Sequence, residues 1–332
     1  MNVHILDDWF DTLRGLPSFA RLEGHAVTVH NDHVEKVDTL ADRLAGAEAL
    51  VLFRERTPIT AALLDRLPML RLISQRSVYP HVDVDACTRN GVVLCSNMHA
   101  DTPSFAAAEL TFALILASAR QLPAQIASAK AGRWQAGVGK TLRGRTLGLY
   151  GYGRIAKAVA GYARAFGMRI VWWASDEGRA RARADGEPVA ASREAFFAEP
   201  DFVSVHVRLK PATRGIVTAR DLLTMRADAT FVNTSRAGLV EPGALEAALA
   251  AGRPGTIALD VFDREPMTDP NDPIVGHPNV IATPHIGYVT EDELDLQFAD
   301  IYDQIVAYAA GAPIHVINPA AFDHPRQRDQ QA

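Results

Sequence analysis

The chain has 332 residues, of which 48% are hydrophobic and 22% charged, and its formal net charge is −5. At roughly 150 residues per domain, this length predicts two domains, and the composition is that of an ordinary globular protein. The charge excludes the basic face that nucleic-acid binding requires, so no nucleic-acid partner is expected. Cys87 and Cys95 lack metal-ligand spacing, which favours two buried reduced thiols over a disulfide and predicts no metal site.

Nothing in the sequence predicts insertion into a membrane. Residues 1–8 have neither a basic segment nor a long apolar core, which predicts a first strand rather than a signal peptide. The most apolar stretch, residues 105–119, contains Glu109 and is too short to span a bilayer. We therefore expect a cytoplasmic protein with no membrane partner. The same stretch predicts a helix at residues 104–120 that is apolar on nearly all sides and mostly buried.

Short β-branched or aromatic runs alternate with helical patterns, which predicts βαβ units and parallel sheets. The first set of predicted strands covers residues 3–6, 26–30, 49–53, 70–74 and 92–95. The second set covers residues 146–150, 168–173, 202–207, 229–233, 255–261 and 280–283. Two such sheets predict two doubly wound α/β domains. A long helix is predicted at residues 291–310, and the polar tail from Asp323 onward is expected to fray.

A glycine-rich motif joins the first strand of the second set to a helical pattern. It reads Gly151-Tyr152-Gly153-Arg154-Ile155-Ala156, which is G-x-G-x-x-A between a strand and a helix. Gly151 permits the tight turn, Gly153 lets the backbone approach a pyrophosphate, and Ala156 lets the helix lie close to the strand. The helix N-terminus adds N–H donors for the phosphates. This context favours a dinucleotide site over a structural turn.

The second strand of this motif usually ends in an acid that binds the adenosine ribose. Here it ends at Ala174, and a basic run follows at residues 179–183. For that run, a solvated helix face is favoured over phosphate binding. Because an acid would repel a 2′-phosphate, we hypothesise that NADPH is accepted at least comparably with NADH, with Ser175, Arg179 or Arg181 as donors. The alternative is that one of the two acids directly after Ser175 restores a preference for NAD.

Three further polar segments follow strands of the second set, at the edge where doubly wound folds bind ligands. They contain Arg236, Glu265 and His285. Hydride removal from an alcohol requires a base for the hydroxyl proton, and histidine suits neutral pH. A carboxylate orients the imidazole and favours its charged form, and an arginine holds a substrate carboxylate in a fork of donors. Each residue alone has a structural or solvated alternative, but the conjunction predicts a catalytic set.

These motifs, N-T-S-R, D-V-F-D-R-E-P and P-H-I-G with G-Y-G-R-I-A, resemble those of the D-isomer-specific 2-hydroxyacid dehydrogenases. The family includes phosphoglycerate dehydrogenases, D-lactate dehydrogenases and glyoxylate/hydroxypyruvate reductases, and the resemblance extends over about residues 3–319. It implies an enzyme that uses NAD or NADP to interconvert a small D-2-hydroxy acid and its 2-keto acid. Arg236 would bind the substrate, and Glu265 would pair with His285, the acid/base. A formate-dehydrogenase-like role is disfavoured, because that subgroup carries Gln where Glu265 stands.

The resemblance also implies cofactor contacts along the same edge. They are Arg154 and Ile155 at the pyrophosphate, His206, Val207 and Thr213 after the third strand, Thr234, Ser235 and Arg236 after the fourth, Asp260 at the nicotinamide carboxamide, and His285 and Gly287 after the last. It further implies that a Rossmann cofactor domain, residues 101–286, is inserted into a flavodoxin-like substrate domain, residues 1–100 and 287–332. The active site would lie in the cleft, and the apolar helix predicted at residues 104–120 would make the contact of a homodimer.

The predicted substrate loop departs from the family pattern. The family's G-x-G-x-D-N is replaced by a stiffer loop in which Ser77, Val78 and Tyr79 are expected to contact the substrate, together with Arg236 and His285. Arg54 follows the third strand of the first set and is also predicted to face the substrate. For Arg54 and its neighbour Arg56, a solvated loop is an equally weighted alternative.

Two functions fit this sequence. The first is the dehydrogenase, and the complete Arg236, Glu265 and His285 set favours it. The second is a dinucleotide-sensing module that binds a protein partner, as corepressors resembling this family do. The physiological substrate and direction are not predicted.

Overall fold

The computed structural model describes residues 1–98, 105–269 and 271–328. The chain divides into two compact units, Met1–Pro103 with Thr290–Ala332, and Ser104–Val289. The second unit is therefore a single segment that interrupts the first. None of the helices in the described ranges has the length and apolar character needed to span a membrane.

The described strands number eleven. They are β1 (Asn2–Ile5), β2 (Ala26–Val29), β3 (Ala49–Val51), β4 (Leu72–Arg76), β5 (Val93–Asn97), β6 (Thr146–Tyr150), β7 (Arg169–Trp173), β8 (Phe202–Val205), β9 (Thr230–Asn233), β10 (Thr256–Leu259) and β11 (Val280–Ala282). The α-helices in the described residues are α1 (Val37–Arg43), α2 (Ala61–Leu64), α3 (Val84–Arg89), α4 (Ala106–Ala119), α5 (Leu122–Lys130), α6 (Arg154–Ala165), α7 (Asp176–Ala184), α8 (Arg193–Ala198), α9 (Ala219–Thr224), α10 (Ala244–Ala251), α11 (Glu291–Ala309) and α12 (Pro325–Arg328).

The first unit contains a five-stranded sheet with the order β2-β1-β3-β4-β5, in which each described pairing is parallel. The winding direction reverses between β1 and β3. Ligands bind at the carboxyl edge of a doubly wound sheet beside such a reversal. The loops after β1 and β3 are therefore the expected binding loops of this unit.

The long helix α11 covers one face of this sheet. Thr290 caps its N-terminus by accepting a hydrogen bond from the N–H of Glu293, and acidic residues in the first turn complement the helix dipole. Leu294, Phe298, Ile301 and Ile305 recur at helical spacing and are buried. Burial of each such side chain contributes about 1.5–3 kcal/mol, so this face anchors the C-terminal segment of the unit.

The second unit contains a six-stranded parallel sheet with the order β11-β10-β9-β8-β6-β7. A parallel bridge from Trp172 to Val189 adds a short further strand beyond β7. With that bridge, the sheet has the strand order of a Rossmann fold, and its reversal lies between β6 and β8. The predicted fold class, two α/β domains with parallel sheets, is confirmed.

The apolar helix predicted at residues 104–120 is α4, and its burial is confirmed. It packs against α5 and α6 and against β9 and β10 within its own unit. Its all-round apolar character is therefore explained by contacts inside the second unit. Both cysteines are free and buried, as predicted.

The prediction that the polar tail frays is wrong for the described residues of the tail, which end at Arg328. Arg326 donates to the carbonyl oxygens of Leu67 and Leu70 at 3.3 and 3.0 Å. Gln327 is buried and donates to the carbonyl oxygens of Arg71 and Gly91 at 2.9 and 2.7 Å. The tail is polar because its side chains satisfy backbone carbonyl groups at the amino edge of the first sheet. Residues 329–332 lie outside the described residues.

Candidate active site

The turn between β6 and α6 has the geometry of a phosphate-binding loop. Gly151 has φ +116°, and a Cβ there would lie 2.3 Å from the carbonyl oxygen of His206, so only glycine fits. A Cβ on Gly153 would meet nothing within 4 Å. The N-cap of α6 is Gly153, which has no side chain to cap the helix, so the positive end of the helix dipole faces the glycine turn. This cradle fits a dinucleotide pyrophosphate.

Arg179, on the first turn of α7, contacts the end of β7, where dinucleotide folds bind the ribose. Arg179 donates to the carbonyl oxygen of Ala174 at 2.6 Å, pairs with Asp176, and places its guanidinium 4.2 Å from the ring centre of Trp173. Ser175 caps α7 by accepting the N–H of Gly178 at 3.3 Å. The side chain of Arg179 is thus held back against the strand end.

The other two arginines of the basic run at residues 179–183 agree with the prediction of a solvated helix face. Arg181 and Arg183 are exposed on α7, which is the solvated helix face that the sequence predicted. Arg179, only partly exposed, is the exception.

Glu265 and His285 are in direct contact. The Nδ1 atom of His285 lies 2.5 Å from Oε2 of Glu265, and Oε1 of Glu265 accepts the N–H of Phe262 at 2.8 Å. Glu265 follows β10 and His285 follows β11, so neighbouring strands deliver the two side chains to one edge. Because Nδ1 is engaged by the carboxylate, Nε2 is the ring nitrogen left for proton exchange with a substrate.

The electrostatics of this pair also involve Arg236. Burial alone would raise the pKa of Glu265, but the hydrogen bond and charge of His285, the N–H of Phe262 and the charge of Arg236 outweigh it. The pKa of Glu265 therefore lies below its ordinary value, and the group is a carboxylate at neutral pH. The Arg236 side chain donates to the carbonyl oxygen of Ser235 at 2.7 Å.

A buried aspartate fixes the turn that carries His285. Oδ1 of Asp260 accepts the Thr283 hydroxyl at 2.6 Å and the N–H of Ile286 at 2.8 Å. Oδ2 accepts the N–H of Gly287 at 2.8 Å. Burial raises the pKa of Asp260 against the effect of these donors. His285 itself has φ +54°, a strained conformation for a residue with a Cβ, and these hydrogen bonds hold it there.

The other predicted cofactor residues line the carboxyl edge of β6, β8 and β9. The N–H of His206 donates to the carbonyl oxygen of Tyr150 at 2.7 Å, and burial lowers the pKa of His206 to about 4, so its ring is neutral. The Thr213 hydroxyl donates to the carbonyl oxygen of Arg208 at 2.7 Å. Val207, a further predicted cofactor residue, lies beside the glycine turn. The hydroxyl of Thr234 lies 2.6 Å from that of Thr111. The hydroxyl of Ser235 donates to the carbonyl oxygen of Val205 at 2.7 Å.

The predicted substrate residues of the first unit lie in two connected loops. Arg54 follows β3 and Ser77 follows β4, and both have positive φ angles, +59° and +77°. The N–H of Ile59 donates to the carbonyl oxygen of His81 at 2.8 Å, which ties the loops together. Val78 is 40% exposed, whereas Tyr79 packs partly against the core of this unit. Tyr79 is thus also a structural contact.

Several side chains at these edges were missed by the sequence analysis. Arg76 lines a small cavity together with Arg54, and it pairs with Asp300 at 3.0 Å. Tyr288 packs edge-on against His285, with ring centres 5.7 Å apart. No motif in the sequence marks these residues, because the contacts join separate segments or depend on the turn at His285.

For Arg56, the alternative of a solvated loop is wrong. Its guanidinium lies between two aromatic rings, 3.9 Å from the ring centre of Trp9 and 4.1 Å from that of Phe53. It also donates to the carbonyl oxygen of Asp7 at 2.6 Å. Arg56 therefore links the loops after β1 and β3, and the weak hydration of a guanidinium permits this stacking.

Residues 112–287 match the family model described as D-isomer specific 2-hydroxyacid dehydrogenase, NAD binding domain. The chain belongs to this family. The match spans the glycine loop, Arg236, Glu265 and His285, and it confirms the family that the motifs indicated. The second unit of this 2-hydroxyacid dehydrogenase family member thus contains the NAD binding domain of the family.

Relatives differ in length. A glyoxylate reductase from Aeropyrum pernix is 34% identical over 296 residues, 85% of this chain and 86% of the relative. A D-3-phosphoglycerate dehydrogenase from Methanocaldococcus jannaschii is 35% identical over 258 residues, 77% of this chain but 48% of the relative. The chain thus spans about half the length of that curated relative.

Solved structures of similar fold cover nearly the whole chain. A phosphoglycerate oxidoreductase from Vibrio cholerae is 45% identical, with a TM-score of 0.88, and covers 94% of this chain and 100% of its own. A structure from Ralstonia solanacearum is 43% identical, with a TM-score of 0.92, and covers 98% of this chain and 99% of its own. Both units therefore have the fold of known family members.

Proposed function

We propose that this protein interconverts a small D-2-hydroxy acid and its 2-keto acid, with a nicotinamide dinucleotide as hydride carrier. The observation that carries the proposal is the 2.5 Å contact between Nδ1 of His285 and Glu265. In the same unit, the loop of Gly151 and Gly153 provides a cradle for the pyrophosphate. The dinucleotide supplies or accepts the hydride when bound.

His285 is the acid/base. With Nδ1 held by Glu265, Nε2 donates a proton to the substrate oxygen during reduction and removes it during oxidation. The Glu265 carboxylate stabilises the imidazolium that donates this proton. Arg236 binds the substrate carboxylate in a fork of donors and polarises the reacting carbonyl.

Backbone strain supports the same assignment. Among the described residues, seven that are not glycine have positive φ angles, and three of these seven are Arg54, Ser77 and His285. Such strain costs about 1–3 kcal/mol per residue and concentrates at functional sites. The sequence predicts substrate binding for Arg54 and Ser77 and catalysis for His285, so the strain is an independent reason to assign each of them a functional role in its own unit.

NADPH is accepted at least comparably with NADH. Ala174 offers no carboxylate to repel a 2′-phosphate, and Arg179 is held beside it by the carbonyl oxygen of Ala174 and the ring of Trp173. A charge-assisted hydrogen bond contributes about 1.5–3 kcal/mol, which is about a ten- to hundredfold change in affinity. Asp176 works against this, because it pairs with Arg179 and would have to release it.

The protein is a homodimer. Since α4 is covered by its own unit, the support comes from α5 and the segment after it. Four apolar side chains there remain exposed: Leu122 (42%), Ile126 (52%), Trp134 (84%) and Val138 (91%). A second copy would remove them from water. Light scattering should report a dimer at micromolar concentration for the wild type and a monomer for Ile126→Asp; a monomeric wild type contradicts the proposal.

The enzymatic function is tested by following NADH and NADPH at 340 nm with a panel of 2-keto acids. Glyoxylate, hydroxypyruvate and pyruvate should be reduced at different rates by the wild type, and His285→Ala should lose most of that turnover. Tight dinucleotide binding without turnover of any keto acid would favour the dinucleotide-sensing module instead.

A further inference from the structure

The middle residue of the glycine loop carries a large side chain. Tyr152 lies between Gly151 and Gly153, yet it is only 6% exposed. Its ring packs edge-on against Trp172 of β7, with ring centres 4.8 Å apart at 84°. The loop that cradles the pyrophosphate is therefore packed directly on the strand that leads to the ribose position.

The hydroxyl of Tyr152 extends this contact to the far end of α7. It donates to Oδ2 of Asp185 at 2.5 Å, and Asp185 directly follows the last residue of α7. Lys157 of α6 donates to the same oxygen at 3.0 Å, and its Nζ lies 4.2 Å from the ring centre of Tyr152. These three residues, Tyr152, Lys157 and Asp185, join the glycine loop, α6 and α7, and we call them the α7 anchor.

The first turn of α7 is packed just as closely. A Cβ on Gly178 would lie 2.7 Å from the Cβ of Ala174 and 3.9 Å from that of Tyr152. Arg179, on the same turn, is held over Trp173. The nine residues of α7 span about 13 Å, so Asp185 lies less than two helical turns from Arg179. Loss of the anchor at its end is thus transmitted to the turn that carries Arg179.

We propose that Tyr152 is a positioning residue which, through Asp185 and Lys157, fixes α7 and thereby sets the preference of the enzyme between NADPH and NADH. The inference rests on the proposed use of a dinucleotide. The 2′-phosphate that distinguishes NADPH depends on Arg179 and on the N-terminal turn of α7, whereas the pyrophosphate common to both cofactors depends on the backbone of the glycine loop. Displacement of α7 therefore weakens NADPH binding more than NADH binding.

The test measures the dissociation constants of NADPH and NADH by nucleotide fluorescence, without a keto acid. Tyr152→Phe keeps the ring on Trp172 but removes the hydroxyl. A partly screened hydrogen bond to a carboxylate corresponds to about a three- to tenfold loss of NADPH affinity, with less than about a twofold change for NADH. Asp185→Asn should shift the ratio in the same direction, and the double variant should add little more.

Two controls separate positioning from general damage. Tyr162→Phe removes the hydroxyl of a second tyrosine on α6, whose ring packs against Phe112 rather than against Trp172, and it should leave both constants unchanged. Lys157→Arg keeps a cation beside Tyr152 and Asp185 and should retain the wild-type ratio. A matched melting temperature for Tyr152→Phe or Asp185→Asn shows that the variant is folded.

The outcomes are distinct. An unchanged ratio in both anchor variants, or equal weakening of NADPH and NADH, overturns the positioning role and leaves the proposed function intact. A wild-type protein that binds neither dinucleotide overturns the proposed function and this inference together. A selective loss of NADPH affinity in both variants, with normal controls, supports the proposal.

Discussion

Replacing Glu265 with glutamine tests the central contact of the site. The variant keeps the size and one acceptor oxygen of the side chain but removes the charge that stabilises the imidazolium of His285. Reduction of a keto acid requires that imidazolium, so its rate falls as the pH rises and the proton is lost. In the variant, this fall should occur at lower pH.

The strength of the contact follows from the exposure of the pair. The side chains of His285 and Glu265 are 27% and 34% exposed, so their interaction is partly screened. Exposed pairs contribute about 0–1 kcal/mol and charge-assisted hydrogen bonds about 1.5–3 kcal/mol, so this pair contributes about 1.4 kcal/mol. Loss of that contribution in the variant is large enough to displace the kcat profile measurably to lower pH. The pKa of Glu265 lies below its ordinary value, so the carboxylate stays ionised through the range in which the rate changes.

The assay is kcat for keto-acid reduction between pH 5 and pH 10 with saturating cofactor. Glu246→Gln is the matched control, because Glu246 is an exposed acid on α10 of the same unit. Its profile should coincide with that of the wild type. An unmoved profile for Glu265→Gln, with turnover retained, would refute the argument that the carboxylate acts on His285.

Three further outcomes are expected. His285→Ala should bind dinucleotide as the wild type does but lose about 10²–10⁴-fold in kcat, measured at 340 nm, and unchanged turnover would exclude His285 as the acid/base. Ala174→Asp should shift kcat/KM toward NADH, because the new carboxylate repels a 2′-phosphate; a wild type that already prefers NADH by more than about a hundredfold, about 2.7 kcal/mol, contradicts the cofactor proposal. Gly151→Ala should lower the free energy of unfolding by about 2–4 kcal/mol in urea, because its Cβ would meet the His206 carbonyl at positive φ. The control Gly161→Ala, with open space and helical backbone, should be neutral or stabilising.

The sequence carried the features that are local in the chain. Residues 146–156 contain a strand, a glycine turn and a helix start in one continuous segment, so the cradle could be predicted directly. Glu265 and His285 could be predicted together only through the motifs around them. Their contact distance and the strain at His285 depend on the neighbouring strands β10 and β11.

Contacts between distant segments could not be predicted. Arg56 stacks on Trp9 and bonds to Asp7, 49 residues away, so the sequence alone leaves a solvated loop as an equally weighted alternative. Tyr152 and Asp185 are 33 residues apart. The alternating pattern of strands and helices predicts the sheet, but it does not predict which side chain contacts a residue at the end of a helix. The tail at Gln327 was misjudged for the same reason, because its partners are backbone carbonyl groups of the first sheet. Such contacts depend on the assembled fold.

The most direct test of the proposed chemistry is the product itself. The purified wild type, incubated with pyruvate or hydroxypyruvate and a reduced nicotinamide dinucleotide, should form one D-2-hydroxy acid for each dinucleotide oxidised, as measured by chiral chromatography against the absorbance at 340 nm. His285→Ala, run in parallel, should form almost none. Formation of the L-enantiomer, dinucleotide oxidation without a hydroxy acid, or equal product from His285→Ala would contradict the account.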